Sequence, residues 1–259
     1  LDTTARSILG GDLALIDDLV TVRHLLAHRS GIGDYFDESV MASIDDYAMP
    51  VPVHRLDATE SYLAVLDGHQ QVSPPGERFA YNNGGYVVLA LLAERAGGAP
   101  FEQLVGDRVC APAGLTSTAF VRSDALPPGA AVGYLDDDGL RTNVLHLPVL
   151  GSGDGGVYST VADMARLWVA IFDGDIVSVD TAQLMTSPSG NEAHEGLRYG
   201  LGFWLAEHGP AVSLEGYDAG VSFRSWHDPT TRCTHTVISN TSEGAWPMSR
   251  ALREVLGPP

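Results

Sequence analysis

The spacing of apolar residues changes period near residue 199, and that change limits what the chain can fold into. Segments 199–207, 211–215, 221–227 and 233–240 are short runs rich in β-branched and aromatic residues, separated by turn residues, which predicts strands joined by tight turns. Residues 247–256 read as a closing helix. Upstream the period is helical. Thr21 is placed to cap a short helix through His28, with Val22, Leu25 and Leu26 on one face, stopped by Ser30, Gly31 and Gly33. Asp57 is placed to cap a stretch with Tyr62, Leu63 and Leu66 turned inward. A helix starting at Asn83 or Gly84 and running over 86–96 is the clearest of the chain, closed by Gly97 and Gly98. Another follows over 101–110, and Thr160 with Asp163 at capping spacing opens a further one through Met164, Leu167, Trp168 and Ile171. Helices in the middle and antiparallel strands at the end predict an α+β protein without repeats, divided into a mostly helical region with a peripheral hairpin, 1–198, and C-terminal strands with a closing helix, 199–259.

Charge and composition remove whole classes of function. Thirty-three acidic residues against fifteen basic ones give a net charge of −18 over 259 residues, so nucleic acid and anionic membrane surfaces are repelled. The longest apolar stretch, 86–93, is under half of the roughly 20 residues that a membrane-spanning helix needs. Residues 1–10 carry one cation, Arg6, and no apolar core of a secretory signal, so the cytoplasm is the favoured compartment. Cys110 and Cys233 lie far apart without Cys-x-x-Cys spacing and are expected to be two buried thiols. Every basic residue is arginine. A guanidinium stays protonated near neutral pH, so no residue of this sequence can serve as a titrating amine base.

Several local patterns fail on their chemistry. His24 and His28 stand one helical turn apart, but Leu25, Leu26 and Ala27 lie between them, where a metalloprotease helix carries glutamate; they are expected to be structural, with no metal. The glycines of 151–156 lack the Gly-Lys-Ser/Thr of a phosphate loop, no serine sits in Gly-x-Ser-x-Gly, and Asp137, Asp138 and Gly139 read as a solvated hairpin turn within 119–147. No cofactor is implied. Residues 79–86 differ in kind. Tyr81 and Asn83, two apart at a turn just ahead of a helix, can point together into a cleft, a phenol to pass a proton and an amide to orient a carbonyl.

That pair has company. Residues 25–32 (Leu-Leu-Ala-His-Arg-Ser-Gly-Ile), then Pro75-Gly76 with 79–86, then 155–164 (Gly-Gly-Val-Tyr-Ser-Thr-Val-Ala-Asp-Met), then 199–203 (Tyr-Gly-Leu-Gly-Phe) follow in the order and approximate spacing of one large superfamily. Taken as a set over nearly the whole chain, they resemble the serine β-lactamase, penicillin-binding protein and family VIII esterase superfamily, most closely its class C-like branch. The resemblance implies a β-lactamase/transpeptidase-like fold, an antiparallel sheet flanked by helices with a mostly helical insertion. It implies a serine acyl hydrolase of esters or amides, or a binder of such ligands or of peptides that does not turn them over. Tyr81 and Asn83 match its Tyr-x-Asn element and would take the relay and orienting roles.

The other two elements depart from the family pattern. The Ser-x-x-Lys element would fall upstream of Leu1, and no serine of this sequence is followed three places on by lysine. Where a Lys- or His-led triplet is expected stands Tyr217-Asp218-Ala219, with Gly220 placed by analogy to give an oxyanion-hole N–H. Asp218 carries a consequence for substrate. A carboxylate about 4 Å from a substrate carboxylate costs about 4 kcal/mol at an effective dielectric near 20, so neutral esters or amides are expected over penicillins. Without the opening helix and strands of the superfamily, a sheet edge and a helix face would lie open, and a homodimer across them is expected.

Overall fold

The computed structural model describes residues 1–36, 44, 47–136, 141–190 and 196–256. Among the described residues, the α-helices α1 (Arg6–Leu9), α2 (Val22–Leu26), α3 (Leu63–Leu66) and α4 (Asn83–Gly97) open the chain. Thr21 caps α2 by accepting the His24 N–H, while the His24 ring accepts the Thr21 N–H. α4 is the axis of this half. On one flank its Val88, Leu91 and Leu92 pack with Leu9, Leu13, Ile16, Val20 and Leu25; on the other, Val87 packs with Leu56, Tyr62 and Val65. Each such buried side chain contributes about 1.5–3 kcal/mol, so burial on two flanks outweighs the weak helix propensity of Gly84 and Gly85 in the first turn.

The predicted helix over 101–110 continues further, as α5 (Phe101–Val105), a wider π-type turn over Gly106–Cys110, and α6 (Ala111–Ala113), ended by Gly114 at φ 64°. β1 (Ala119–Phe120) pairs antiparallel with β2 (Val157–Tyr158). On either side of the 137–139 turn Tyr134 and Thr142 form an antiparallel bridge, and the Leu135 N–H donates to the Arg141 carbonyl at 2.8 Å; Asp137, Asp138 and Gly139 themselves lie outside the described residues. α7 (Val161–Asp173), capped by the Thr160 hydroxyl, and α8 (Val179–Met185) lead into the sheet.

Five strands follow, β3 (Leu197–Tyr199), β4 (Trp204–Ala206), β5 (Val212–Asp218), β6 (Val221–Asp228) and β7 (Cys233–Ser239), paired antiparallel in chain order, and α9 (Ala245–Leu256) closes. The single run predicted over 199–207 is two strands. The Gly200 N–H donates to Phe203, Gly202 turns at φ 93°, and a Cβ on Gly200 would stand 2.1 Å from the Met185 carbonyl oxygen. Period-2 alternation sorts the sheet's two faces. Val212 and Leu214 lie opposite His227 and Ser225 and meet α7, while Glu215 lies opposite Arg224 on the α9 face. The architecture is therefore α+β, an antiparallel sheet with helices on both faces. Cys110 is buried as expected, but Cys233 is exposed, because it opens β7 at the sheet's outer edge. Among the described residues, no helix is long and apolar enough to cross a membrane.

Candidate active site

The start of α4 is held by more groups than a helix needs. Asn82, 5% exposed, accepts the Gly85 N–H with Oδ1 at 2.6 Å and donates from Nδ2 to the Ile32 carbonyl at 2.9 Å. The Asp34 carboxylate accepts the next two, Asn83 N–H at 2.7 Å and Gly84 N–H at 2.9 Å. Three consecutive first-turn donors are thus occupied by side chains of the protein itself. The arrangement fixes Asn83, whose Nδ2 donates to the Phe36 carbonyl at 3.3 Å.

Tyr81, one residue ahead of that cap, is 46% exposed and stands at the mouth of an aromatic cluster. Its ring lies 4.2 Å from His28 and 6.2 Å from Trp204, parallel to the latter within 8°. Tyr86 and Tyr199, 4.8 and 4.9 Å from the same imidazole, complete the cluster, their hydroxyls 3.3 Å apart. His28 is 2% exposed, and burial pushes its imidazole down to about 3, so it is neutral through the physiological range. Its backbone stands at φ 51°, a left-handed conformation costing a side chain with a Cβ about 1–2 kcal/mol.

The strand residues predicted for the third element do not act as one cluster. Tyr217 and Asp218 are adjacent on β5, so they leave opposite faces of the sheet. Tyr217, 37% exposed, packs its ring 6.1 Å from Trp246 of α9. Asp218 accepts the Ala219 N–H at 2.7 Å and points its field the other way: burial raises the Tyr47 and Tyr62 phenols, and Asp218 raises both further, with Asp34 acting on Tyr47 and Asp154 on Tyr62. The structure therefore groups Asp218 with the Asp34 end of α4. Gly220 turns at φ 73° between β5 and β6, and its N–H donates to Ser242 Oγ at 2.8 Å.

The glycine-rich 151–156 loop supports this ground. A Cβ on Gly153 would stand 1.9 Å from the Tyr86 carbonyl oxygen, so only glycine lets the loop lie on α4. The loop carries Asp154, which accepts the Tyr35 hydroxyl. Burial pushes the Asp154 carboxyl up to about 6, with the Asp34 charge adding to this, while the Tyr35 hydroxyl and backbone N–H groups pull it back. A folded-state value above the unfolded 3.8 means that the stability this group supports is complete below about pH 3.8 and lost as pH rises through 6. Asp154→Asn is therefore expected to match the parent near pH 4 in urea unfolding and to exceed it by about 3 kcal/mol at pH 7. A stability difference that stays constant across that window would refute the assignment.

The two spaced histidines have other work: His24 closes the α2 cap, and His28 Nδ1 accepts the Asn82 N–H at 3.1 Å. Among the described residues, no group of three His, Cys, Asp or Glu is arranged to hold a metal. Thr160 caps α7 by accepting the Asp163 N–H, the neighbouring Ser159 hydroxyl bonds the Thr118 hydroxyl, and the Asp163 carboxylate accepts from Ser117 N–H and Thr118 Oγ1, tying α7 to the turn before β1. No sequence pattern singled out Asp34 or Asp154: one follows the glycines that stop α2, and the other stands among the glycines of 151–156. Asn82 lay inside the Tyr-x-Asn pattern as its unspecified residue.

Comparison with known proteins agrees with this layout. A family profile described as Beta-lactamase matches residues 8–256. The fold is similar to the crystal structure of a penicillin binding protein from Bacillus halodurans, with a TM-score of 0.90 and 33% identity, covering 98% of this chain and 78% of that one. The sequence is 29% identical over 240 residues to Penicillin-binding protein 4* of Bacillus subtilis (strain 168), covering 86% of this chain and 52% of that protein. It is 26% identical over 235 residues to a D-aminopeptidase of Brucella anthropi, covering 88% of this chain and 43% of that protein. The chain spans about half the length of the curated relatives it matches. With the profile running from α1 to the last turn of α9 over a sheet and helices superposable on a penicillin binding protein, the chain belongs to the beta-lactamase family.

Proposed function

We propose that this chain forms the substrate-holding part of an acyl-transfer site for neutral or cationic esters and amides. Tyr81 passes the proton and Asn83 orients the carbonyl. No serine here is followed three places on by lysine, so in this reading the attacking hydroxyl comes from polypeptide other than these 259 residues. The observation that carries it is the start of α4: an exposed phenol at the lip of an aromatic cluster, followed by an asparagine whose backbone is pinned by Asp34. The same geometry supports the substrate class. The first three N–H groups of α4 are already taken, so they offer nothing to a substrate carboxylate, and the Asp34 carboxylate that takes two of them sets a negative charge beside Asn83. Such a field repels an anion and attracts an amine, and the likeness to a D-aminopeptidase points the same way.

The test is made on the natural polypeptide that contains this chain, with a neutral p-nitrophenyl ester, D-alanine p-nitroanilide and a penicillin. Tyr81→Phe is expected to lower kcat on the ester by about 100-fold, the lower end for a lost proton-transfer group, with KM little changed. An unaltered kcat removes the relay role, and penicillin turnover equal to ester turnover removes the substrate class. A second reading, a ligand binder without turnover, is favoured by one observation: the Gly220 N–H donates to Ser242 and so already has an acceptor. It expects ligand-dependent stabilisation and no increase in intact mass after a fluorophosphonate or fluorescent penicillin probe.

A further inference from the structure

His28 holds the segment that carries the candidate relay residue at three points. Its carbonyl accepts the Ala80 N–H at 2.8 Å, its Nδ1 accepts the Asn82 N–H at 3.1 Å, and its ring lies 4.2 Å from the ring of Tyr81 between them. Hydrogen bonds to the residues on either side fix the backbone about Tyr81, and the ring contact fixes the direction in which the phenol leaves it. The imidazole is itself held. Tyr86 and Tyr199 lie 4.8 and 4.9 Å from it, and the Tyr86 hydroxyl donates to the Leu26 carbonyl at 2.9 Å. An acceptor at Nδ1 requires the proton on Nε2, and burial keeps the ring in that neutral form. The left-handed backbone at φ 51° is what brings carbonyl and imidazole to bear on one segment.

We infer that His28 is a positioning residue for the Tyr81 phenol, acting through the 80–82 segment that it clamps. This rests on the relay reading of Tyr81. Packing alone would explain a buried histidine, so the readout has to separate positioning from folding. His28→Phe keeps a ring beside Tyr81 and leaves the Asn82 N–H without its acceptor. His28→Asn keeps an acceptor near the Nδ1 position and tolerates the left-handed backbone, but loses the ring.

In the natural polypeptide acting on a p-nitrophenyl ester, His28→Phe is expected to lower kcat by about 100-fold with KM within about threefold, and His28→Asn to recover to within about tenfold of the parent. In a Tyr81→Phe background, either His28 change is expected to cost less than about threefold more, because its effect runs through the phenol. An undiminished loss in that background overturns the inference, as does a folded His28→Phe protein with unaltered kcat; if His28→Phe does not fold, the same cycle with His28→Asn decides. Full activity of Tyr81→Phe alone defeats the relay reading instead. The contact is then judged in this chain by NMR of labelled tyrosine: the Tyr81 ring resonances move in His28→Asn, and unmoved resonances overturn the positioning role as well.

Discussion

Asn82→Ala is expected to be among the most destabilising single changes in this protein, at about 3–5 kcal/mol. The side chain does two things at once in a place that water does not reach. As a cap, its Oδ1 satisfies the buried Gly85 N–H. As a donor, its Nδ2 satisfies the Ile32 carbonyl, and a buried polar group left unpaired costs about 1–3 kcal/mol, the Gly85 N–H and the Ile32 oxygen each counting. Folded domains hold a total of about 5–15 kcal/mol, so the loss takes a large share. Urea unfolding followed by circular dichroism measures it, and a melting point lower by about 10 °C accompanies it. Asn82→Ser is expected to recover the cap but not the bond to Ile32. A cost below about 1 kcal/mol for alanine would show that the 32–34 segment and the start of α4 are not joined through this amide.

The second large effect lies where α7 meets the sheet. Trp168, fully buried on α7, lies parallel to His227 within 8° at 5.5 Å, touches Phe203 at 5.8 Å, and donates from Nε1 to Ser225 Oγ at 2.8 Å. It is the side chain through which α7 sits on the sheet. Trp168→Ala removes the stack and leaves a cavity, at an expected cost of about 3–5 kcal/mol. Trp168→Phe keeps one ring, and Ser225 keeps its Thr236 partner at 2.7 Å, so about 1–2 kcal/mol is expected. Both are read by denaturant unfolding. Equal costs for the two substitutions would mean that the ring stack does not seat the helix.

The parts of this fold that were legible in sequence are those written in local chemistry. Thr21, Thr160 and Gly98 end or begin helices because a hydroxyl or a left-handed glycine can do so wherever it stands. β5, β6 and β7 were legible through alternation. The failures have equally physical causes. Segment 199–207 alternates well enough for one strand, but the requirement that splits it is the Met185 carbonyl against Gly200, a contact from another element. Ala119–Phe120 pairs with a segment nearly forty residues away, which no local pattern announces. The thiol of Cys233 was misplaced because cysteines are usually buried, whereas this one opens an edge strand.

The candidate site divides along the same line. Sequence by itself determined the residue types: a phenol and an amide two apart before a helix, acids in excess, and arginine as the only strong cation, which together fix what proton and charge chemistry the chain can offer. Tertiary structure alone decided which of them meet. Asp34 and Asp154, more than a hundred residues apart, bear on one patch of phenols; Tyr217 and Asp218, adjacent in sequence, are sent to opposite faces of a strand; and His28 reaches back to clamp the segment carrying Tyr81. The physical reason is that a side chain's chemistry belongs to its own atoms, whereas its partners are set by long-range packing, which the sequence encodes only through the fold as a whole.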